Sequence, residues 1–349
     1  NARIQHDVLI APNAKGGVKH GQYAEVRITQ WPTMSRQAQG EVIEVVGDYM
    51  APGMEIEVAL RSYDIPSEWP DAVIKEAERL KDHVVEKDKL KRVDLRHLPL
   101  VTIDGEDARD FDDALYCEPH KASGWRLFSG GWKLYVAIAD VSHYVPVGSA
   151  LDEEAELRGT SVYFPSEVIP MLPEALSNGL CSLNPHVDRL CLYCDMRISA
   201  NGRLTGFVFR EGVMRSRHRL TYNKVGAIIE EPESELAQDT VASLDDESLD
   251  MIWSFHEMFL ALRRRRAERG AIDFDSEETR ILYDENHKIE GMVPVVHNVA
   301  HIMIEEAMLA ANICSAKLLE KSGLPALFRN HEPPKEERLS KLQQFLGGL

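Results

Sequence analysis

Ten residues, Asp104 to Asp113, carry six carboxylates: Asp104, Glu106, Asp107, Asp110, Asp112 and Asp113. Like charges at this density repel, and each raises the cost of ionising its neighbours. On an open surface water would dilute that cost. Here the loop is hemmed in by apolar segments, Leu98 to Ile103 ahead of it and Ala114 to Tyr116 behind. The economical relief is a hard divalent cation, which takes oxygen ligands and favours carboxylates. Two blander readings compete. One is a solvated acidic turn. The other is a calcium loop, whose EF-hand pattern needs Gly at the sixth position and Glu at the twelfth. Counted from Asp104 those positions hold Arg109 and Leu115, so the calcium template fails. The elements that must present the carboxylates read as strand, acidic loop, strand.

The stretch Ile103 to Ala114, IDGEDARDFDDA, resembles the signature of the RNB family of exoribonucleases. Five further blocks follow in that family's order: VAIADVSHYV (136–145), RGTSVYFPSEVIPMLPEALSNGLCSLNP (158–185), RLTYNKV (219–225), IEEAMLAANICSAK (304–317) and PALFRNHEPP (325–334). The resemblance covers nearly the whole chain. It implies a processive 3′→5′ exoribonuclease that hydrolyses single-stranded RNA to 5′-mononucleotides with magnesium, one ion or two, or manganese in its place.

Carried over residue by residue, the resemblance puts metal ligation on Asp104, Asp110, Asp112 and Asp113, with Asp112 positioning or activating the water. The matched pattern does not require Glu106 and Asp107, which are expected to be structural or to support the ligands from behind. Tyr163 corresponds to the tyrosine that stacks on the 3′-terminal bases, and Tyr222 to one near the scissile end. Both otherwise read as ordinary structural aromatics. A functional glutamate belongs at Glu305 or Glu306. Adjacent helical positions point about 100° apart, so at most one faces a given partner, and Glu306 is favoured. His331 is a further candidate RNA contact. The resemblance also implies a link to the ribosome or trans-translation machinery. The family's Ser-Pro-Ile-Arg-Arg-type motif and C-terminal OB-fold domain do not occur in this sequence, so the RNB domain is expected to be incomplete and its activity alone is in doubt.

Length and charge bound the rest. With 349 residues the chain has room for two domains and a large core. Its net charge of −17 argues against a generic nucleic-acid coat, which would be basic. An RNA enzyme is compatible with that charge if its basic channel is local and a metal neutralises the loop. The five cysteines include Cys191-Leu-Tyr-Cys194, but no second pair or nearby His pair completes a zinc site. They read as buried thiols of a reducing cytoplasm. No secretory signal opens the chain and no apolar run approaches membrane length, so a soluble, cytoplasmic monomer is expected.

The expected fold is α+β and multidomain: a small OB or cold-shock-type β-barrel over 1–62, a charged helical linker over 63–92, and a mixed α/β RNB catalytic domain over 93–349. Short strands broken by Gly and Pro turns suggest the barrel. Lys15, Lys19, Arg27 and Arg36 with Tyr23 and Trp31 would supply its RNA contacts; the alternative is a spacer. In the linker, Ser67 is the expected helix cap and interleaved charges suggest a solvated surface. Asp140, within an apolar strand, must be paired, either bracing the metal site or capping backbone. Residues 230–250 read as a surface loop leading into a helix over about 245–268. Its stripe is Leu249, Trp253, His256 and Leu260, and it ends in the dipole-matched, solvated run Arg263 to Arg266. Asn298 caps a last long helix that stops at Gly323. A non-catalytic RNA-binding scaffold with a structural metal loop is the alternative from another class, and a DNA-directed nuclease is the alternative enzyme.

Overall fold

The computed structural model describes residues 7–49, 51–120, 130–271, 278–284, 289–328 and 332–348. His331 lies outside them.

Alternating apolar and polar residues make the first strands. β1 (Val8–Ile10), β2 (Gln22–Gln30) and β3 (Ala38–Asp48) form a sheet in the order β1-β3-β2, with β1 parallel and β2 antiparallel to β3. Gly40 sits where they crowd: a Cβ there would lie 2.6 Å from Val26 Cγ1 and 2.9 Å from the Arg27 carbonyl oxygen. Helix α1 (Met54–Ser62) buries Met54, Ile56 and Leu60, and Arg61 ties it to the sheet through Glu44 at 3.3 Å.

The linker departs from expectation. Its helices are α2 (Asp71–Ala77) and α3 (Glu86–Lys89), and Ser67 caps neither. Pro70 is the cap position of α2, and the residue ahead of a proline is pushed away from helical geometry, so the helix cannot begin earlier. The segment is also docked rather than solvated. Val73 is buried, Arg158 lies 3.5 Å over the Trp69 ring, and Lys89 Nζ reaches Asp188 at 2.7 Å. Arg92 and Asp140 form a buried pair at 2.6 Å, so Asp140 anchors the linker rather than bracing a metal.

After β4 (Val93–Asp94) come β5 (Val101–Asp104), β6 (Asp113–His120), β7 (Gly131–Ala139), α4 (Val141–Tyr144), α5 (Ala150–Arg158), β8 (Val162–Tyr163) and β9 (Val168–Ile169). Then follow β10 (Asp188–Ser199), β11 (Leu204–Arg215), β12 (His218–Thr221), α6 (Tyr222–Glu230), α7 (Glu235–Ser243) and α8 (Asp246–Glu268). The last elements are β13 (Glu278–Tyr283), β14 (Ile289–Val295), α9 (Val299–Ser322) and α10 (Glu336–Gly347). Seven strands form one mixed sheet in the order β12-β5-β6-β7-β10-β11-β4.

Both faces of this sheet are covered, which is why β7 reads as an unbroken apolar run. Leu134 and Val136 join a core with α6, α8 and α9, while Tyr135, Ala137 and Ala139 join another with α2 and α5. Cys191 and Cys194 fall into opposite cores, because positions three apart on a strand face opposite ways. All five cysteines are free and buried, and this CxxC cannot close as a redox pair.

Two helical readings need correction. Ser234 caps α7 inside the expected loop, with Ala237 and Thr240 buried. In α8 the buried stripe is Met251, Ile252, Phe255, Met258 and Phe259, whereas Trp253 and Leu260 are exposed. Both stripes have helical spacing, and the phase is set by which one meets the sheet. α9 runs as expected from its Asn298 cap to Gly323, which takes the left-handed conformation at φ 69°.

Candidate active site

Strand β5 ends at Asp104 and β6 begins at Asp113, so the acidic loop spans two neighbouring strands of the covered sheet, one strand in from its β12 edge. β12 lies parallel to β5 with Thr221 opposite Asp104. That register brings a second sequence region onto the loop. Thr221, the N-cap of α6, donates its hydroxyl to Glu106 Oε1 at 2.6 Å, and Asn223 donates to the same oxygen at 3.3 Å. Arg219 donates to the Ala108 carbonyl at 2.7 Å and covers the Phe111 ring at 4.2 Å.

From the other side, Ser182 Oγ accepts from the Phe111 amide and donates to the Arg109 carbonyl, each at 3.1 Å. Leu183 donates to the Phe111 carbonyl at 2.8 Å and Ala139 to that of Asp112 at 2.9 Å. Phe111 is buried beneath. The loop backbone is therefore clamped, and Glu106 belongs to the clamp as expected. Asp107 pairs with Arg280 at 2.9 Å in solvent.

Clamping fixes the carboxyls close to one another, with Asp112 the most open of the four to solvent. Burial pushes Asp113 up to about 7, with Asp104 and Asp112 adding to it, and one of its oxygens, Oδ2, is buried without a hydrogen-bond partner. Burial likewise pushes Asp112 up to about 6, reinforced by Asp110 and Asp104. Asp104 is raised by burial against the pull of the Gly105 amide 2.7 Å away, and Asp110 adds to the rise. As placed, no three His, Cys, Asp or Glu side chains among the described residues converge as metal ligands do. The donor set nonetheless suits a hard cation. Its oxygens are crowded, several are desolvated, and the orphaned Asp113 oxygen is a buried acceptor with nothing to accept from.

The structure brings Asp104, Asp110, Asp112 and Asp113 together with Tyr163 and Tyr222. Tyr163, on β8, is 65% exposed and donates its hydroxyl to Asp110 Oδ2 at 3.2 Å. Tyr222 opens α6, and burial together with the nearby Asp104 and Asp113 carboxylates raises the pKa of its hydroxyl. Glu306 is elsewhere. It is buried against Arg266 at 2.9 Å, on the wall of a cavity of about 670 Å³ shared with Arg265, Arg269 and Lys317. Glu305 has a side chain 57% exposed and stands one turn beyond His301 on the same helix face. Arg266 also reaches Glu305, at 3.4 Å, so burial rather than pairing separates the two, and Glu305 is the carboxylate open to a ligand. Arg266 correspondingly turns onto α9 instead of standing in solvent.

Sequence reasoning missed Ser182, Arg219 and His301. His301 stacks on Tyr222 with ring centroids 4.0 Å apart. Helical spacing from Asn298 and Glu305 was the available signal for it; Ser182 left none.

This fold and site define a class. The RNB domain model matches residues 92–347 and the cold shock domain model residues 1–70; the chain belongs to the RNB family. Its relatives include Ribonuclease R of Vibrio cholerae serotype O1, 51% identical over 351 residues, and Ribonuclease R of Escherichia coli K12, 48% identical over 349. Each alignment takes in 100% of this chain and 41% of the relative. Mycoplasma genitalium RNase R in complex with ribose methylated single-stranded RNA is similar at a TM-score of 0.90 and 28% identity, over 100% of this chain and 52% of that one. The chain spans about two fifths of the length of the curated relatives it matches. Among the described residues no helix is long and apolar enough to cross a membrane.

Proposed function

We propose that this chain carries the phosphodiester-hydrolysing site of a processive 3′→5′ exoribonuclease acting on single-stranded RNA. The observation that supports it most is the clamped loop, which gathers Asp104, Asp110, Asp112 and Asp113 beside an exposed tyrosine. Asp104, Asp110, Asp112 and Asp113 would hold one or two magnesium ions, or manganese, which supply polarisation of the scissile phosphate and acidification of water. Asp112 orients the attacking water and takes its proton. Tyr163 offers a ring face to the terminal base while its hydroxyl stays anchored on Asp110. Tyr222 steadies Asp104, and Glu305 faces the terminal ribose. Contacts to the 2′-hydroxyl would select RNA over DNA.

The test is cleavage of 5′-labelled single-stranded RNA by the full-length protein with magnesium, beside EDTA and Asp112→Asn controls. Stepwise shortening from the 3′ end that both controls stop is expected. Tight binding without shortening would replace this reading with an RNA-binding scaffold.

A further inference from the structure

The N-terminus of α9 reaches the acidic loop through a chain of contacts that begins 194 positions away from Asp104 at Asn298. Asn298 caps α9 by accepting from the Ala300 amide at 3.1 Å and the His301 amide at 3.4 Å. Its Nδ2 also donates to the Tyr222 carbonyl at 2.9 Å. His301 closes the capping box, its Nδ1 lying 3.2 Å from the Asn298 amide. The same imidazole lies flat on the Tyr222 ring, 4.0 Å between centroids and 20° between planes. His297 stacks behind it at 4.9 Å and 24°. Gly226 makes the approach feasible, because a Cβ there would fall 2.5 Å from Asn298 Nδ2.

One residue therefore does two separable things. A hydrogen-bonding atom at 301 serves the helix cap, and a flat ring at 301 serves Tyr222. Burial, with His297 alongside, holds the His301 imidazole below its ordinary pKa, which favours a neutral, stackable ring.

We propose that His301 is a positioning residue for hydrolysis at this site: its ring holds Tyr222 in place beside the Asp104 and Asp113 carboxylates. This rests on the hydrolytic reading above. With Tyr222 loose, Asp104 loses the neighbour that limits its movement, and a carboxylate misplaced by a fraction of an ångström costs rate rather than substrate affinity.

Two substitutions separate the roles. In His301→Gln the amide can close the capping box, but nothing stacks on Tyr222. In His301→Phe the ring stacks, but the cap acceptor is gone. His301→Gln is expected to keep the thermal midpoint and lower kcat on single-stranded RNA at least tenfold, with KM within twofold. His301→Phe is expected to lower the midpoint and return kcat to within threefold of the parent. Unchanged kcat in His301→Gln, or a His301→Phe variant as slow as His301→Gln, overturns the proposal.

Mn2+ affinity without RNA gives the second readout. A parent protein that does not shorten RNA sinks the hydrolytic reading alone, and the stack is then judged on Mn2+. His301→Gln is expected to weaken Mn2+ binding at least threefold and His301→Phe to leave it within twofold. Equal affinities in both variants and the parent refute the positioning role.

Discussion

Arg92 and Asp140 meet 2.6 Å apart with side chains only 5% and 4% exposed. The pair joins the end of the linker to the residue that follows β7. Asp140 also accepts from Ser142 Oγ at 2.8 Å, whereas Arg92 Nη1 is buried without a partner. Removing one member of such a pair leaves an uncompensated buried charge, at a cost of about 3–5 kcal/mol. Asp140→Ala should lower the urea unfolding midpoint accordingly with little change in slope. The double variant Arg92→Met/Asp140→Leu should recover most of the loss. A double variant worse than the single one would show that the charge pair itself is favourable.

Asp188 gathers Lys89 at 2.7 Å, Arg215 at 2.7 Å and Arg96 at 3.1 Å. Burial pushes its pKa up, but hydrogen bonds from Lys89 and Arg215 outweigh that and hold it below the ordinary carboxylate value. A depressed folded pKa contributes stability that is present above the unfolded value, about 3.9, and is lost as pH falls through the folded one. Asp188→Asn should therefore cost about 1.5–3 kcal/mol at neutral pH. Its gap to the parent should close below about pH 4. Unfolding midpoints across that range decide it; an equal gap at both ends assigns the loss to packing.

Asp112→Asn removes the base but keeps the size of the side chain and its backbone acceptor for Ala139. Hydrolysis should fall by about 10²–10⁴-fold, with RNA affinity within threefold. Filter binding beside the cleavage assay separates the two. Equal losses of binding and cleavage would assign Asp112 to holding substrate.

Tyr163→Ala strips the exposed ring while the loop keeps its other clamps. Stacking on a base is worth about 1–3 kcal/mol, so the last nucleotides should be released earlier and the limit product should lengthen. Sequencing gels of the end products read this directly. An unchanged limit product would assign Tyr163 to anchoring Asp110.

Legibility followed locality. The acidic loop, the α9 cap at Asn298 and the stop at Gly323 were readable because each signal lies within a few residues. What escaped depended on distant partners. The charges of Lys89 and Arg92 look solvated in sequence, and only Asp188 and Asp140 show that they are not. The phase of α8 is invisible when two stripes share one spacing. Glu305 and Glu306 are identical in type and adjacent, and only the packing of α9 against α8, which buries one and leaves the other open, distinguishes them. His301 looked like one more helical residue because the ring it supports belongs to another element.

The parallel pairing of Thr221 beside Asp104 has a kinetic consequence. Glu106 waits for a partner 115 positions later, and contacts of such separation form slowly because the intervening chain must first be closed into a loop. During synthesis the aspartates would emerge well before β12 exists to hold them, as a mutually repelling and hydrated string. The site is then assembled only when most of the sheet is in place, so an unfinished chain carries the ingredients of hydrolysis without the geometry to perform it.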